Sequence, residues 1–390
     1  MNQALFYQRR RVFNYLPEED RYLSDSPQPT LKFGFIGCGI MGQEHIRNTL
    51  LEGRATIAGL YDTSLRSIEY AQTLVPTRQS DGLQIYSSLQ EACNDPKTDA
   101  LIIATPNHTH LEVMRLAASS GKAVFLEKPI ATTLADALEI SNLSEHHQLN
   151  LHIGLQYRFK SIYAEAIREV FTLSAVGEVQ QVNLAEHRFP FLDKVGQWNK
   201  FNRLSGGTLI EKCCHYFDLM NLFAGARPDQ VYATGRQSVN FKEFNYANEQ
   251  ADALDQANVI VEYSNGVSGS FSLCMFVPGT SEELVVCGDR GRLRASESAV
   301  LGEPNVNHLE LWSGEHGVSK TSTPAYPSYI ENAGHHGSTF FEHVNFVDSI
   351  LGQPNSGPTL DDALWSVAVA AAAQQSINSK IPVSVKTLFG

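Results

Sequence analysis

Residues 206–219, GGTLIEKCCHYFDL, bring together two glycines, an acid, a lysine, two adjacent cysteines, a histidine and an aspartate. Three chemistries compete for such a stretch: a metal site, a thiol redox pair, or one face of a catalytic helix. Adjacent Cys213 and Cys214 point about 100° apart on a helix, poor geometry for one ion. A zinc on Cys214, His215 and Asp218 is the competing reading. A vicinal disulfide would strain a helix. Small buried thiols that pack the helix are the preferred reading, so no metal is expected. Lys212 reads either as a solvated residue or as a cation that holds substrate.

A second chemical feature lies near the start of the chain. LKFGFIG (31–37) has strand character, and CGIMGQEHIRNTLLEG carries Ile46, Leu50 and Leu51 at helical spacing. The junction reads Gly37-x-Gly39-x-x-Gly42, and a second strand, ATIAGLYD, ends in Asp62 about twenty residues further on. The first glycine permits a tight turn and the second lets backbone approach a pyrophosphate. The third lets the helix lie against the strand with its N-terminus facing the phosphates. Asp62 is placed to accept hydrogen bonds from the adenosine ribose and would repel a 2′-phosphate, which favours NAD over NADP. Arg66 lies nearby and reads more readily as a solvated helix residue.

The elements that would position these groups alternate. DALIIATP (99–106), KAVFLEKP (122–129) and LNLHIGLQYRF read as strands, with THLEVMRLAASSG and TLADALEISNLSEHHQ as helices between them. Such alternation predicts a doubly wound parallel sheet, whose ligands bind at the carboxyl ends of the strands. Those ends hold Gly37–Gly42, Asp62, Thr105-Pro106-Asn107, Glu127-Lys128-Pro129 and Gln156–Arg158. Lys128 is either half of an ion pair with Glu127 or a cation that holds and polarises a substrate hydroxyl.

The bulk numbers narrow the classes. A chain of 390 residues has room for two domains. A net charge of −12 argues against a nucleic-acid partner. No apolar run reaches a membrane span; the helical run ALWSVAVAAAA is too short. QRRRVF near the N-terminus is followed by NYLPEEDRYL rather than an apolar stretch, so export is not expected. Six cysteines without a C-x-x-C pair fit a reducing cytoplasm. Residues 1–30 read as a polar extension.

Taken together, G-x-G-x-M-G-x-x-H (37–45), ATPNHTH (104–110), EKPIATT (127–133) and GG…E-x-x-x-H-x-x-D resemble the Gfo/Idh/MocA oxidoreductases. The resemblance implies a Rossmann domain over 31–155 and, over 156–390, an α/β domain with a large open, mostly antiparallel sheet for substrate binding and oligomerisation. It implies NAD held by Gly37, Gly39, Ile40, Met41, Gly42, Asp62, Arg66, Thr105, Pro106, Asn107, His110, Glu127, Lys128 and Gln156. It also implies hydride transfer from a ring hydroxyl of a sugar, inositol or glycoside, in a homodimer or homotetramer.

The family helix reads G-G-x-x-x-D-x-x-x-H-x-x-D, matched here by Gly206, Gly207, Glu211, His215 and Asp218, with Glu in place of Asp. On that helix, Glu211 and His215 are four residues apart and face the same way. His215 then takes the hydroxyl proton, and Glu211 either orients its imidazole or contacts substrate. Trp198 and Asn199 are expected against a sugar face, with Lys200 and Arg203 for an anionic group. Tyr157, Arg158, Lys212 and one of His335 and His336 complete the expected lining, the histidines on a loop facing residues 208–223. Two other functions use the same parts. A redox-neutral glycosidase would oxidise transiently, eliminate the aglycone and reduce again. A non-catalytic NAD-binding regulator would have no use for Lys128 and His215.

Overall fold

The computed structural model describes residues 29–77, 82–299, 305–314 and 317–389. The expected N-terminal extension lies outside these apart from its last two residues. The described chain packs into two compact units that do not follow the sequence in two blocks.

The first unit holds six strands: β1 (Leu31–Ile36), β2 (Ala55–Tyr61), β3 (Gln84–Ile85), β4 (Ala100–Ile103), β5 (Ala123–Glu127) and β6 (Leu151–Gly154). All pair in parallel, in the order β3-β2-β1-β4-β5-β6. The alternating pattern predicts a doubly wound parallel sheet, and the structure adds its strand order. β4 is buried at all four positions, as expected of a parallel strand covered on both faces. The connecting helices are α1 (Ile40–Glu52), α2 (Leu65–Leu74), α3 (Leu89–Asn94), α4 (His110–Ala117) and α5 (Leu134–His147). Their starts are locally encoded. The Ser64 hydroxyl accepts from Ser67 N–H, and Ser88 accepts from Glu91 N–H, satisfying donors a helix cannot satisfy itself. α1 ends at Gly53 in the left-handed region.

Residues 326–360 also belong to this unit, whereas the sequence reading assigned them to the second domain. Packing explains the difference. Within helix Ser338–Ile350, Phe346 is fully buried, with its ring 5.6 Å from Phe33 and 5.5 Å from Phe125. Arg54 Nη1 also donates to the buried Asp348 carboxylate at 2.8 Å. Periodicity marks a helix and its apolar face, but not which distant surface that face will cover.

The second unit is built on a nine-stranded sheet. Its strands are β7 (Val179–His187), β8 (Pro228–Arg236), β11 (Gln256–Tyr263), β12 (Ser268–Cys274), β13 (Thr280–Gly288), β14 (Gly291–Ala299), β15 (Val306–Ser313), β16 (Val318–Ser322) and β17 (Val383–Ser384). A separate hairpin supplies β9 (Asn245–Tyr246) and β10 (Glu249–Gln250). The order is β16-β15-β14-β13-β7-β12-β11-β8-β17, antiparallel except for β7 with β12. β11 alternates buried and exposed residues along its length, so one sheet face is core and the other is open. On the core side lies helix Cys214–Ala224, where Tyr216 stacks on Phe271 at 5.0 Å and Phe217 meets the same ring edge-on at 5.5 Å.

Phe346→Ala should destabilise the protein by about 3–5 kcal/mol, the usual cost of emptying a buried aromatic site. Denaturant unfolding of the whole chain checks this. A loss below about 1 kcal/mol would mean that Phe346 does not complete the first unit's core.

Candidate active site

At the carboxyl edge of the parallel sheet, the glycine loop is built by steric need. Gly37 has φ +95°, and a Cβ there would sit 2.5 Å from the Ala104 carbonyl oxygen. A Cβ on Gly42 would sit 2.0 Å from the Gly37 oxygen. The first and third glycines therefore serve the turn and the approach of α1 to the strand. Gly39 differs: a Cβ there meets nothing within 4 Å. It caps α1 without a side-chain hydrogen bond, leaving a smooth entry to the helix N-terminus. That arrangement fits a pyrophosphate. Ile40 is exposed beside it and Met41 is half-buried.

The Asp62 carboxylate is held by two backbone donors, Cys38 N–H at 2.7 Å and Ser64 N–H at 2.7 Å. The acid at the end of β2 is thus tied to the glycine loop, while Arg66 is exposed. Burial, with Asp62 next, pushes the neighbouring Cys38 thiol up to about 12. Thr105 accepts from the Thr109 hydroxyl at 2.8 Å. His110 is fully buried, with ring nitrogens 2.9 Å from Pro129 O and 3.1 Å from Thr105 O. Its imidazole braces the ends of β4 and β5, and burial lowers its pKa.

Glu127, Lys128 and Gln156 end the next two strands. Glu127 turns inward: Oε1 lies 2.7 Å from His45 Nε2, and Oε2 accepts from Lys128 N–H at 2.9 Å. Burial raises its carboxyl. The hydrogen bond and charge of His45, then the charges of Lys128 and His335, bring it below its ordinary value. Lys128 is half-buried and precedes a cis Pro129. Asn107 and Gln156 are buried, and the Gln156 amide makes no hydrogen bond to the described residues. An orphaned amide at a strand end is a ready partner for a ligand. Tyr157 is buried under the Lys160 ammonium, 4.7 Å from its ring centre, and Arg158 is half-buried. The sequence reading passed over Lys160, although it closes the basic run QYRFK.

In the second unit, Gly206 and Gly207 take φ of +86° and +82°. The expected continuous helix is broken. Residues Thr208–Glu211 form one helical turn, Lys212 and Cys213 a turn, and Cys214–Ala224 the longer helix. Glu211 and His215 therefore stand on successive segments, and four-residue spacing does not set their relative orientation. Glu211, His215 and Asp218 are all buried. Glu211 Oε1 accepts from Lys194 Nζ at 3.2 Å, an ammonium that also lies 4.4 Å from the Trp198 ring centre.

Lys212 is not solvated; it is buried and pairs with Glu186 Oε1 at 3.1 Å. Lys200 is buried between Asp193 and Gln197, each at 2.5 Å, and Arg203 binds Glu249 bidentately. Asn199 donates to Leu192 O at 3.0 Å. Sequence reading missed Glu186 and Lys194, whose partners lie 26 and 17 residues away. Cys213 and Cys214 are buried free thiols, and burial raises Cys213 well above its ordinary value. Among the described residues no group of three or more His, Cys, Asp or Glu is placed to hold a metal.

His335 and His336 belong to the first unit. His335 Nδ1 lies 2.7 Å from Glu44 Oε1, and the Thr339 hydroxyl donates to the same oxygen at 2.6 Å. Burial raises the Glu44 carboxyl, but the charge and hydrogen bond of His335, with Thr339, hold it below its ordinary value. Both histidines have positive φ. Among the described residues no helix is long and apolar enough to cross a membrane.

A parallel sheet with this glycine loop, in a chain that continues into a large mixed sheet, defines a dinucleotide-dependent oxidoreductase class. Residues 31–155 match the oxidoreductase family's NAD-binding Rossmann fold, and 174–385 its C-terminal alpha/beta domain. The chain belongs to the Gfo/Idh/MocA oxidoreductase family, and its first domain is an NAD-binding Rossmann fold. It is similar to the uncharacterized oxidoreductase YrbE of Bacillus subtilis (strain 168), 25% identical over 364 residues that span 90% of this chain and 96% of that protein. It is equally similar to the scyllo-inositol 2-dehydrogenase (NAD(+)) of the same organism, 25% identical over 354 residues spanning 90% and 95%. Among solved structures, levoglucosan dehydrogenase in complex with NADH and levoglucosan shares the fold, with TM-score 0.76, 18% identity and coverage of 91% and 99%.

The Asp62 arrangement makes a direct prediction. Asp62→Ala should weaken NAD binding at least about tenfold and NADP binding little, because a carboxylate there accepts from ribose hydroxyls and repels a 2′-phosphate. Calorimetric titration of both cofactors on both proteins decides it; tighter NADP binding by the unaltered chain would refute the assignment.

Proposed function

We propose that this protein is an NAD-dependent dehydrogenase of a ring CH–OH group in a sugar, inositol or related polyol, with Lys128 and His215 carrying the chemistry in distinct roles. The observation that supports it most is the placement of Lys128. It sits at the carboxyl end of β5, on the same edge of the same parallel sheet as the glycine loop and Asp62, where ligands of such sheets bind. Relatives named for inositol 2-dehydrogenation support the substrate class.

Bound NAD supplies the hydride acceptor. The ammonium of Lys128 holds the substrate hydroxyl and stabilises developing alkoxide. His215 removes the hydroxyl proton, a task suited to an imidazole. Glu211, engaged by Lys194, sets the local charge or binds a second hydroxyl. Lys194, Lys200, Lys212 and Arg203 each carry a carboxylate partner already. This favours a neutral polyol over an anionic sugar, which would have to displace one of those carboxylates. The open sheet face carries exposed Tyr232 and Ile260, which pair across β8 and β11. It is the surface we assign to self-association in a dimer or tetramer. The six free cysteines suit a reducing cytoplasm.

His215→Ala should lower turnover by roughly 10²–10⁴, the usual worth of a positioned base. Lys128→Ala should lower turnover and weaken substrate binding while leaving NAD affinity nearly unchanged. The assay is a panel of inositols, sugars and aryl glycosides followed for both NADH absorbance and aglycone release, with deuterium at the reacting carbon. Aglycone release without NADH would instead establish redox-neutral glycoside cleavage. Near-normal turnover in both variants would refute the assignment of Lys128 and His215. Separately, Ile260→Asp should lower the mass seen by sedimentation equilibrium to that of one chain; an unchanged mass would clear this sheet face of the role.

A further inference from the structure

Beneath Lys128 the first unit buries a set of titratable groups that hydride transfer itself does not use. Glu127 Oε1 lies 2.7 Å from His45 Nε2, His45 Nδ1 lies 2.9 Å from His343 Nε2, and His343 Nδ1 lies 3.3 Å from the Thr49 hydroxyl. None of these four residues is more than 3% exposed. The other carboxylate oxygen, Oε2, takes the Lys128 N–H. The run therefore reaches from α1, through a helix more than 290 residues away in sequence, to the backbone of Lys128.

Hydrogen counting gives this chain an unusual property. With neutral rings, Thr49 O–H donates to His343 Nδ1, His343 Nε2–H to His45 Nδ1, and His45 Nε2–H to Glu127. With a proton added to His45, its Nδ1–H donates to His343 Nε2 instead, and His343 Nδ1–H donates to Thr49 Oγ1. The hydroxyl suits either direction because it is both donor and acceptor. Every contact survives in both states, and His45 Nε2–H faces Glu127 throughout. Only the tautomer of His343 changes.

We propose that Thr49, His343 and His45 form a reversible hydrogen-bond chain that keeps Glu127 an acceptor for Lys128 N–H whether or not His45 is protonated, making His343 a positioning residue for Lys128. The groups packed around the chain fit this role. His152 on β6 stacks on Phe125, and burial takes it down to about 3, so it stays neutral. His343 is held well below its ordinary value by burial, then by His45 and His152, so it passes a hydrogen bond without itself charging. Glu342, adjacent to it and 3.8 Å from His152 Nε2, is raised well above its ordinary value by burial, then by Glu127 and Glu44, which favours its uncharged form. Glu44 and His335 pair with each other. His45 is the ring that contacts Glu127 directly.

The inference rests on the assignment of Lys128 above only for its catalytic consequence, so its test does not use turnover. Ring-nitrogen NMR of the full-length, NAD-loaded protein, labelled with ¹⁵N-histidine, should show His343 changing from the Nε2–H to the Nδ1–H tautomer as His45 takes up a proton. A His343 tautomer that stays the same while His45 takes up a proton, or a His45 that takes up none over the whole pH range in which the protein is folded, overturns the proposal. Hydrogen exchange of the Lys128 amide gives the second readout. His343→Leu should speed it at least about tenfold relative to the other β5 amides, since a hydrogen bond to an ionised acceptor is worth that much. His343→Gln should restore protection, because a side-chain amide can turn to donate or accept. Equal exchange in Leu and Gln variants reduces His343 to packing and refutes the positioning role. Thr49→Val, which removes only the terminal hydroxyl, should move exchange in the same direction by a smaller factor if the Leu variant does not fold. If the tautomer switch is found but Lys128→Ala retains turnover, the chain stands and the proposed catalytic role of Lys128 falls.

Discussion

An ionised carboxylate can be kept from water only where donors replace the water. Glu127 is the place where this chain meets that demand. Its two oxygens face His45 from the helix that follows the glycine loop and the N–H of Lys128 from the strand that carries the lysine. His45 in turn contacts His343 in the helix that returns near the end of the chain. One buried charge thus ties together the cofactor loop, the lysine and the returning helix. The Phe346 side of that helix packs against Phe33 and Phe125, so apolar burial brings the helix in and the polar chain sets its register.

The glycine loop shows the same coupling by steric means. Gly37 and Gly42 each leave no room for a Cβ, and the oxygen that would clash at Gly42 belongs to Gly37. Asp62 ties the loop to the end of β2 through Cys38 N–H, and its other oxygen takes Ser64 N–H at the start of the next helix. Its carboxylate is therefore oriented before any ribose arrives, which lowers the ordering cost of binding.

Much of this was legible in the sequence because it is local. The doubly wound parallel sheet, the glycine spacing, Asp62 and the strand-end positions of Lys128 and Gln156 follow from short patterns with a steric or periodic cause. What was not legible is long-range. His45 matched a motif position without revealing its partner 298 residues away, and residues 332–350 showed an apolar helix face without showing what it covers. His110 matched a motif position without revealing that its ring also spans Pro129 O and Thr105 O. The break at Lys212 and Cys213 was hidden because nothing in TLIEKCCHYF forbids a continuous helix; tertiary packing of Tyr216 and Phe217 on Phe271 overrides local propensity.

The second unit shows why residue type alone could not define its chemistry. Lys200, Lys212 and Arg203 read as basic groups of the site when counted along the chain. In space, Asp193, Glu186 and Glu249 pair with them, Glu186 pairs with Arg188 as well, and Glu211 takes the Lys194 that the sequence reading missed. Arg203 and Glu249 are largely exposed, so water screens that pair. Lys212 and Glu186 are buried, and Glu186 also faces Arg188 Nη1 at 3.5 Å, so removing Lys212 would take away one of two cations that hold a charge kept from water. Groups paired in this way offer donors and acceptors side by side with little net charge. Vicinal hydroxyls, each of which both donates and accepts, match such a surface better than a carboxylate or phosphate does, and they match it without breaking a buried ion pair.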